Sequence, residues 1–545
     1  EDCGGRRFKL EALAYRVGDK NIADMLSMRA DEAQRFFDDL VLPDRESAIA
    51  AEPMQQIRQR LGFLQSVGLG YLQLDRTLRT LSGGETQRVA LTSALGSSLV
   101  NMLYVLDEPT AGLHPVDVER LSRTILSLRD RGNTVIVVEH DETMIRLADH
   151  VIEIGPAAGR SGGRVMFEGR PDEMISDSDS LTGQFLSGQR GWTLREREPR
   201  KPRGHISIRG ASGHNLKQID VDFPLGVLCL VTGVSGSGKS SLVQDTLYGA
   251  IRQRKSKEAA KPLPFDAITG LSQIDDCMLV DQSPISRRPR SAPVTFVKAF
   301  DPIRKVFADT VDARTRNFGP GHFSFNSGKG QCKHCEGAGS LQIDMQFLAD
   351  ISMQCPVCRG TRYREEILSV RYRDRTIADV LSMSAREAQS FFRGCEKVQQ
   401  RLQRMIDVGL DYIQLGQPAT TLSSGEGQRL KLAAFLASVS RRRTLFILDE
   451  PTTGLHFADI VRLVDCFDAL LADGHGLIVV EHNAMLMQAA DYLIDLGPGS
   501  ADEGGRVVAT GSPAEVAQVA ESKTGQVLRH QWGTGPGPEK AVEGR

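Results

Sequence analysis

Three motifs occur twice in this chain, whereas a phosphate-binding loop occurs once. The duplicated motifs are LDEPT at Leu106 and Leu448, LS-x-GE at Leu81 and Leu422, and VEH at Val138 and Val480. The pattern G-x-x-x-x-G-K-S stands only at Gly233 to Ser240. Motifs that return in the same order, roughly 340 residues later, are typical of a duplicated domain. We therefore expect two copies of one fold, with the phosphate loop in the second copy.

The duplication sets the predicted domain boundaries. They are 1–185 for the C-terminal part of the first copy, 186–204 for a polar and basic linker, 205–526 for the second copy with a cysteine module at about 326–365, and 527–545 for a disordered tail. Cys3 aligns with Cys358 of that module, and the chain begins with Glu rather than Met. We therefore expect the second half of a duplicated protein, preceded by the end of its first half.

The composition narrows the classes of function. Hydrophobic residues make up 40% and charged residues 25% of the 545 positions, which is typical of globular proteins. The sequence has no apolar run long enough for a transmembrane helix, so we expect no membrane partner. The net charge of −2 means that a nucleic acid contact needs a local basic patch. Two CxxC pairs among the nine cysteines indicate metal binding in a reducing cytoplasm.

The phosphate loop follows an apolar, β-rich run that predicts a buried strand, and a helix is predicted to start near Lys239. Glycines in such a loop let backbone N–H groups face phosphate oxygens. Lys239 supplies a positive charge to the phosphates, and the Ser240 hydroxyl supplies a ligand for Mg²⁺. The residues expected to bind ATP here are Gly233, Ser235, Gly236, Ser237, Gly238, Lys239, Ser240 and Ser241.

Carboxylates follow a second apolar strand in each copy. In the second copy, Asp449 is expected to hold Mg²⁺ and Glu450 to polarise the attacking water. His482 ends a third strand and is expected to sense the γ-phosphate, with a buried structural histidine as the alternative. Gln282 follows another apolar run and is expected to reach the metal or the water. The first copy repeats these residues as Asp107, Glu108 and His140.

These motifs resemble the ATP-binding cassette (ABC) family, whose signature is LSGGE. The resemblance implies an α/β fold with two ABC-type ATPase domains, each with a mixed sheet and a helical signature subdomain, the first domain being incomplete. It also implies that each ATP lies between the phosphate loop of one domain and the signature of the other. The second copy's loop is then closed by Ser82, Gly83 and Gly84. The second signature, Ser423–Gly425, departs from the family pattern because Ser424 replaces a glycine.

Four cysteines in the second copy have the spacing of a structural zinc site. They are Cys332, Cys335, Cys355 and Cys358, and a glycine lies two residues after each pair. Four thiolates satisfy the tetrahedral geometry of Zn²⁺ and leave no position for substrate. We therefore expect a rigid clamp rather than a reaction centre, with four unligated thiols as the alternative.

The segment from Ser283 to Lys333, just before and into this module, is locally basic. The residues expected to contact DNA are Arg287, Arg288, Arg290, Lys298 and Lys329. Phe323 and Phe325 alternate within the same segment, and basic side chains interleaved with aromatic ones suit contacts with a phosphate backbone. The alternative is an ordinary solvated charged face.

ABC motifs around a CxxC…CxxC module, preceded by VDQSPISRRPRSAP and followed by TTLSSGEGQR, resemble the UvrA family. This family contains the damage-recognising ATPases of bacterial nucleotide excision repair, and the resemblance runs from Cys3 to about Gly511. It implies ATP, Mg²⁺ and Zn²⁺ as cofactors, damaged double-stranded DNA as a partner, a homodimer, and a UvrB-like repair subunit to which the lesion is passed.

Some positions depart from the family pattern. They are His322 in GHFSFN, the TFVK segment ending at Lys298, and Ser424 in the second signature. These departures predict a divergent paralogue, of a kind associated with tolerance of DNA-damaging or intercalating compounds. Two other hypotheses remain: a non-DNA ABC ATPase, either drug-resistance or ribosome-associated, and an inactive truncated remnant.

Overall fold

The computed structural model describes residues 7–9, 11–77, 81, 83–96, 100–156, 159, 162–189, 199–255, 261–281, 285, 290–326, 328–343, 351–437 and 443–534. The chain forms two compact units, and neither follows the boundaries of a repeat. The first unit comprises Glu1–Val151, Glu168–Gln273 and Ile478–Arg545, and the second comprises Ile152–Phe167 and Ile274–Leu477. The first unit therefore combines the motifs of the first repeat with the phosphate loop of the second.

Within the described residues the first repeat alternates strands and helices. Its strands are β1 (Arg16–Val17), β2 (Lys20–Asn21), β3 (Leu103–Asp107), β4 (Thr134–Val138), β5 (Val151–Gly155) and β6 (Arg164–Gly169). Its helices are α1 (Ile22–Ser27), α2 (Ala30–Asp39), α3 (Asp44–Ser66), α4 (Gly83–Leu95), α5 (Pro115–Asp130), α6 (Glu142–Leu147), α7 (Pro171–Ser176) and α8 (Leu181–Leu186). A 3-10 turn lies at Ala12–Ala14.

The second repeat begins with strands that precede the segment it shares with the described part of the first repeat. Its strands are β7 (Gly204–Gly213), β8 (Leu216–Leu225), β9 (Leu228–Gly233), β10 (Ala267–Thr269), β11 (Asp276–Val280), β12 (Ser340–Ile343), β13 (Ile351–Gln354), β14 (Thr444–Asp449), β15 (Gly476–Val480), β16 (Tyr492–Gly497) and β17 (Arg506–Gly511). A π-helical segment, Ser241–Tyr248, follows the phosphate loop, and 3-10 turns lie at Leu271–Gln273, Ala419–Thr421 and Ala501–Glu503.

The helices of the second repeat, together with its strands, show how the two repeats correspond. They are α9 (Gly249–Lys255), α10 (Pro293–Phe296), α11 (Phe300–Ala308), α12 (Val311–Thr315), α13 (Glu365–Leu368), α14 (Ile377–Leu381), α15 (Ala385–Phe391), α16 (Glu396–Asp407), α17 (Ser424–Leu436), α18 (Phe457–Ala472), α19 (Ala484–Ala489), α20 (Pro513–Gln518) and α21 (Lys523–Thr534). The run from β14 to α21 repeats that from β3 to α8 in order and type. None of the described helices is long and apolar enough to cross a membrane.

The first unit contains a mixed sheet. Strand β16 pairs in parallel with β9 and antiparallel with β17. Strands β7 and β8 form an antiparallel pair, and β10 pairs with β7. Every residue of β9 is buried, which is typical of a parallel strand covered on both faces. The predicted α/β class with a mixed sheet is confirmed.

The second unit has a parallel pair, β11 and β14, and an antiparallel hairpin, β12 and β13. Next to the hairpin lies an aromatic core in which Phe323 and Phe325 are fully buried. The ring of Phe325 lies 5.0 Å from that of Phe300, and the Tyr363 hydroxyl donates to the Phe323 carbonyl at 2.9 Å. The expectation that these two phenylalanines face nucleic acid is wrong, because they form the core beneath the basic segment.

The end of the described chain also corrects an expectation. The tail predicted to be disordered from residue 527 begins inside α21, which continues to Thr534. Leu528 in this helix is fully buried, and the Arg529 guanidinium donates to the Ala517 carbonyl. Glycines and prolines in 533–538 hide this short helix from a reading of composition, but buried apolar surface is enough to order it.

One face of the β3–β4 pair exposes apolar side chains. Leu103, Val105, Ile136 and Val138 are 49–64% exposed, whereas the opposite face packs against a core that includes Leu121 and Ile125 of α5. At the equivalent strand of the second repeat, Ile478 is fully buried. The same motif thus supports a covered strand in one repeat and a strand covered on one side in the other.

This difference predicts unequal costs for one substitution at two equivalent positions. Replacing Ile478 with Ala creates a cavity and is expected to cost about 2–5 kcal/mol of unfolding free energy. Replacing Ile136, which is 50% exposed, is expected to cost less than about 1 kcal/mol. Chemical denaturation of the two variants measures both values, and equal costs would contradict the exposure of this face.

Candidate nucleotide and zinc sites

The phosphate loop adopts a conformation that only glycine fits at its first position. Gly233 has φ +132°, and a Cβ there would lie 2.0 Å from the Leu496 carbonyl oxygen. Lys239 is 7% exposed, and its Nζ donates to the carbonyls of Gly233 at 3.0 Å and Val234 at 2.9 Å. A buried ammonium held by two carbonyls at the edge of the loop is positioned to bind a phosphate.

Two serine hydroxyls of this loop suit the same ligand. Among the described residues, neither Ser235 Oγ nor Ser237 Oγ has a hydrogen-bond partner, although both atoms are buried. A buried hydroxyl without a partner is costly unless a ligand supplies one. Phosphate oxygens accept from hydroxyl, backbone N–H and ammonium groups, so the donor set fits a nucleotide triphosphate. Ser240 is exposed at the start of the helical segment, where a Mg²⁺ ligand is required.

Residues of the first repeat contact this loop of the second. The Ser235 N–H donates to Asp117 Oδ2 at 3.5 Å, and Asp117 lies in the first turn of α5. A Cβ built on Gly236 would lie 3.2 Å from the ring of Tyr71. In the second unit, a Cβ built on Gly159 of the first repeat would lie 3.2 Å from Tyr412, which occupies the position of Tyr71 in the second repeat. Each repeat thus contacts the other with the same tyrosine.

His482 lies at this loop and is buried together with His114 of the first repeat. Their ring centroids are 5.8 Å apart in a T-shaped arrangement. Burial and then the positive charge of Lys239 lower the pKa of His482 well below its usual value. The backbone N–H of His482 donates to Glu481 at 2.6 Å, and that of His140 donates to Glu139 at 2.8 Å. A neutral imidazole at this position can donate one hydrogen bond without adding charge.

The carboxylate pairs have the same backbone strain in both repeats. Glu450 has φ +47° and Glu108 has φ +46°, a region that non-glycine residues occupy at a cost. The preceding carbonyls are held alike, since Gln428 donates to Asp449 O at 2.5 Å and Gln87 donates to Asp107 O at 2.6 Å. Burial raises the pKa of Glu108. Both repeats keep the same strained backbone conformation at this glutamate. We therefore infer that the direction of the glutamate side chain matters at both positions.

The structure describes some of the remaining predicted nucleotide-binding residues but not all of them. Ser423 caps α17 and accepts from the Glu426 N–H at 3.2 Å, so the second signature stands at a helix N-terminus. Gly83 and Gly84 begin α4 at the corresponding place, and Ser424 lies in the first turn of α17. Ser241 begins the π-helical segment, and its hydroxyl lies 3.1 Å from His214 Nδ1. Ser82 and Gln282 lie outside the described residues, as does Cys3.

The four cysteines of the second unit converge. Their Sγ atoms all lie within 4.8 Å of one another, and the thiol of Cys335 is 3.6 Å from that of Cys358. Zn–S bonds of about 2.3 Å in a tetrahedron place sulfurs roughly 3.8 Å apart, which matches, whereas a disulfide requires about 2.05 Å. The Gly339 N–H donates to Cys335 Sγ at 3.3 Å. The cluster therefore fits Zn²⁺.

The thiol chemistry of this cluster also fits a metal. Burial raises the pKa of the Cys335 and Cys358 thiols. Burial also works to raise the pKa of Cys355, but backbone N–H groups of Cys358 and Val357 contribute to lowering it to about 7. Arg362 is buried beside the cluster, with its guanidinium 5.0 Å from the centre of the Phe325 ring. A cation so close to thiolates balances part of the negative charge that four of them carry.

The predicted DNA contacts are only partly described. Lys298 and Lys329 are exposed. Arg290 is also exposed, but it donates to the Glu336 carbonyl at 3.3 Å and lies 4.0 Å from the Glu336 carboxylate. Arg287 and Arg288 lie outside the described residues. The two lysines therefore offer the more available positive charge.

Sequence reasoning missed the residues that join the repeats at the phosphate loop. Tyr71, His114 and Asp117 belong to the first repeat, and Thr524 belongs to the last described helix. One signal was available, because GLxYxQL occurs at Gly68–Leu74 and Gly409–Leu415 and GLH follows both LDEPT motifs. Nothing local to these motifs indicates their partners, which lie more than one hundred residues away in the chain.

The mixed sheet, the phosphate loop and the duplicated signature and carboxylate motifs define an ABC-type ATPase. Within this class the chain is similar to the UvrA proteins. It is 50% identical over 527 residues to UvrABC system protein A of Methanothermobacter thermautotrophicus and 48% identical over 529 residues to that of Staphylococcus epidermidis. These alignments cover 97% of the chain but 55% and 56% of the relatives.

A solved structure agrees with the sequence relatives. The crystal structure of UvrA2 from Deinococcus radiodurans matches with a TM-score of 0.90 and 42% identity, over 97% of this chain and 65% of that one. No family model matches the chain. The chain spans about half the length of the curated relatives it matches. The divergent-paralogue hypothesis and the cytoplasmic location stay predictions.

Proposed function

We propose that this chain hydrolyses ATP and binds damaged double-stranded DNA in nucleotide excision repair. One observation supports the ATPase part above the others: Tyr71 and Asp117 of the first repeat lie against the phosphate loop of the second. An ATP bound at this loop then contacts both repeats, so that binding and hydrolysis change how the repeats pair. The DNA part rests on the relatives, whose names place them in the UvrABC system.

The proposed roles follow the chemistry of each group. Lys239 and the loop N–H groups hold the phosphates, while Ser240 and Asp449 hold Mg²⁺, which neutralises phosphate charge. Glu450 orients and polarises the water, and the neutral His482 donates to the γ-phosphate. Gln282 is assigned to the metal or the water, and the remaining phosphate contacts are assigned to the signature residues Ser82, Gly83 and Gly84.

We assign the zinc module a structural role beside the DNA. Its four buried thiols leave no open ligand position. Lys298 and Lys329 are exposed on the same unit and carry charge suited to the phosphate backbone. Contacts of this kind bind duplex DNA with little dependence on sequence, as recognition of varied lesions requires.

Salt dependence of DNA binding tests this part. The double variant Lys298→Ala/Lys329→Ala is expected to bind duplex DNA more weakly and to lower the slope of log K against log salt by about 0.9 per lost contact. Arg123→Ala, an exposed cation outside the basic segment, is the matched control. Fluorescence anisotropy over 50–300 mM salt measures the slopes. If the chain does not bind DNA even at the lowest salt, a non-DNA ABC ATPase is the better assignment.

A homodimer and a UvrB-like subunit complete the proposal as partners. Both are implied by the resemblance to the UvrA family and by no contact within this chain. Size-exclusion chromatography with light scattering, with and without ATP and purified UvrB, tests each separately. A monomer at all concentrations would overturn the first, and the absence of a complex would overturn the second.

A further inference from the structure

A buried hydroxyl–carboxylate network lies at the base of the phosphate loop. Asp495 of β16 accepts from the hydroxyls of Thr232 at 3.0 Å and Thr524 at 2.7 Å through Oδ1, and from Ser522 at 2.6 Å through Oδ2. All four side chains are 0–2% exposed. Thr232 immediately precedes Gly233, so this network fixes the strand from which the loop emerges.

His114 of the first repeat joins this network. Its Nδ1 accepts from the Val116 N–H at 3.4 Å, which caps α5 and leaves the ring proton of the neutral form on Nε2. Nε2 lies 3.4 Å from Thr524 Oγ1. The Thr524 hydroxyl lies 2.7 Å from Asp495 Oδ1 and 3.2 Å from Thr232 Oγ1. We assign its proton to the closer carboxylate oxygen, which leaves the Thr524 oxygen to accept from His114.

The same ring lies against His482. The edge-to-face contact of 5.8 Å restricts the orientation of the His482 ring, because both side chains are fully or almost fully buried. Burial, with the nearby charges of Lys239 and Lys523, lowers the pKa of His114 to about 3. The imidazole of His114 is therefore uncharged at every pH at which the protein is handled.

We propose that His114 is a positioning residue for ATP hydrolysis: it anchors α5 of the first repeat to Thr524 and holds His482 in its orientation at the second repeat's phosphate loop. The inference rests on the proposed ATPase function. On this inference a residue of the first repeat controls the rate of turnover rather than the affinity for nucleotide. That residue does not itself touch the phosphates.

The second repeat supplies a matched control. His456 occupies the equivalent position and caps α18 in the same way, with Nδ1 accepting from the Ala458 N–H at 3.3 Å. His456 is partly exposed, whereas His114 is fully buried. Replacing each histidine with Asn keeps a good helix cap, so a difference between the two variants does not come from capping.

The test is steady-state and single-turnover ATP hydrolysis by wild type, His114→Asn, His114→Gln, His456→Asn and Thr524→Val. His114→Asn is expected to lower kcat about tenfold, because small misplacements of a catalytic group are costly, with KM within about threefold. His114→Gln, whose Nε2 can still donate to Thr524, is expected to recover kcat to within about threefold of wild type. Thr524→Val also removes the hydrogen bond to Asp495, so it is expected to lower kcat by itself. The double variant is expected to lose less than the product of the two single losses, since both substitutions break the His114–Thr524 contact.

Three results would overturn the inference. They are a His114→Asn kcat within about twofold of wild type, equal losses in His114→Asn and His456→Asn, and additive losses in the double variant. If wild type shows no hydrolysis that depends on Lys239, the proposed function fails instead. The His114–Thr524 contact is then tested by thermal midpoints. The shifts caused by His114→Asn and Thr524→Val must be non-additive, whereas those caused by His456→Asn and Thr524→Val must be additive.

Discussion

Lys239→Ala is expected to lower the rate of ATP hydrolysis at least about 100-fold, because a buried cation aimed at transition-state charge is worth this much or more. The Lys239 ammonium is 7% exposed and is held at the mouth of the loop by two backbone carbonyls. Its charge also lowers the pKa of His482, so its removal changes the electrostatics of the neighbouring imidazole. The loss should therefore appear in kcat as well as in nucleotide affinity.

Lys217→Ala is the control for this variant, because Lys217 is exposed on β8 of the same unit. Phosphate release measured with purified proteins gives the rate, and circular dichroism shows whether each variant is folded. Equal rates for wild type and Lys239→Ala would mean that the observed hydrolysis comes from a contaminant. A loss in Lys217→Ala of the same size would point to damage to the β7–β8 region rather than to the loop.

Cys355→Ser is expected to release zinc and to destabilise the second unit. Structural zinc in small domains contributes about 10–16 kcal/mol of apparent binding free energy, so loss of one of four ligands costs several kcal/mol. A thermal midpoint about 10 °C lower is the expected result for a unit of this size. The β12–β13 hairpin and the turns at Gly337 and Gly360 position the thiols. Loss of the metal that joins the thiols is therefore expected to destabilise these segments.

The control for the zinc variant is Cys395→Ser, which lies in the same unit outside the cluster. It is expected to keep one equivalent of zinc by atomic emission and a midpoint within about 2 °C of wild type. A Cys355→Ser protein that retains full zinc would contradict the four-thiolate assignment. A strong chelator added to wild type should lower its thermal midpoint as Cys355→Ser does. The same chelator should have little effect on the Cys355→Ser variant.

The sequence carried the parts of the fold whose causes are local. The glycines of the phosphate loop and the CxxC spacing both encode geometry within a few residues, and the structure places Lys239 and the four thiols accordingly. The expectation for Phe323 and Phe325 was wrong because phenylalanines between basic residues also occur where a turn segment buries its aromatic side chains and leaves its charged ones at the surface. The helix that ends the described chain was missed because its stability comes from burial of Leu528 rather than from its own composition.

The contacts between repeats lay beyond prediction for a different reason. His114 and Thr524 are separated by 410 positions, and Asp117 and Ser235 by 118. No periodicity links residues so far apart, and His114 and Asp117 have ordinary local explanations as a helix cap and a first-turn acid. Only the folded arrangement brings these residues to one loop.

The exchange of contacts between repeats has a consequence for how such a gene can change. Two similar stretches of coding sequence invite recombination that would make the repeats identical. His114 and Thr524 have the same residue types at their repeat equivalents, His456 and Thr182, so an exchange would keep this pair. It would change the neighbours of the pair, because Pro115 corresponds to Phe457 and Lys523 to Leu181. We therefore expect the two halves to drift apart around the pair while the pair itself stays constant. In a family alignment this appears as histidine at 114 and threonine at 524 beside positions that differ between the halves.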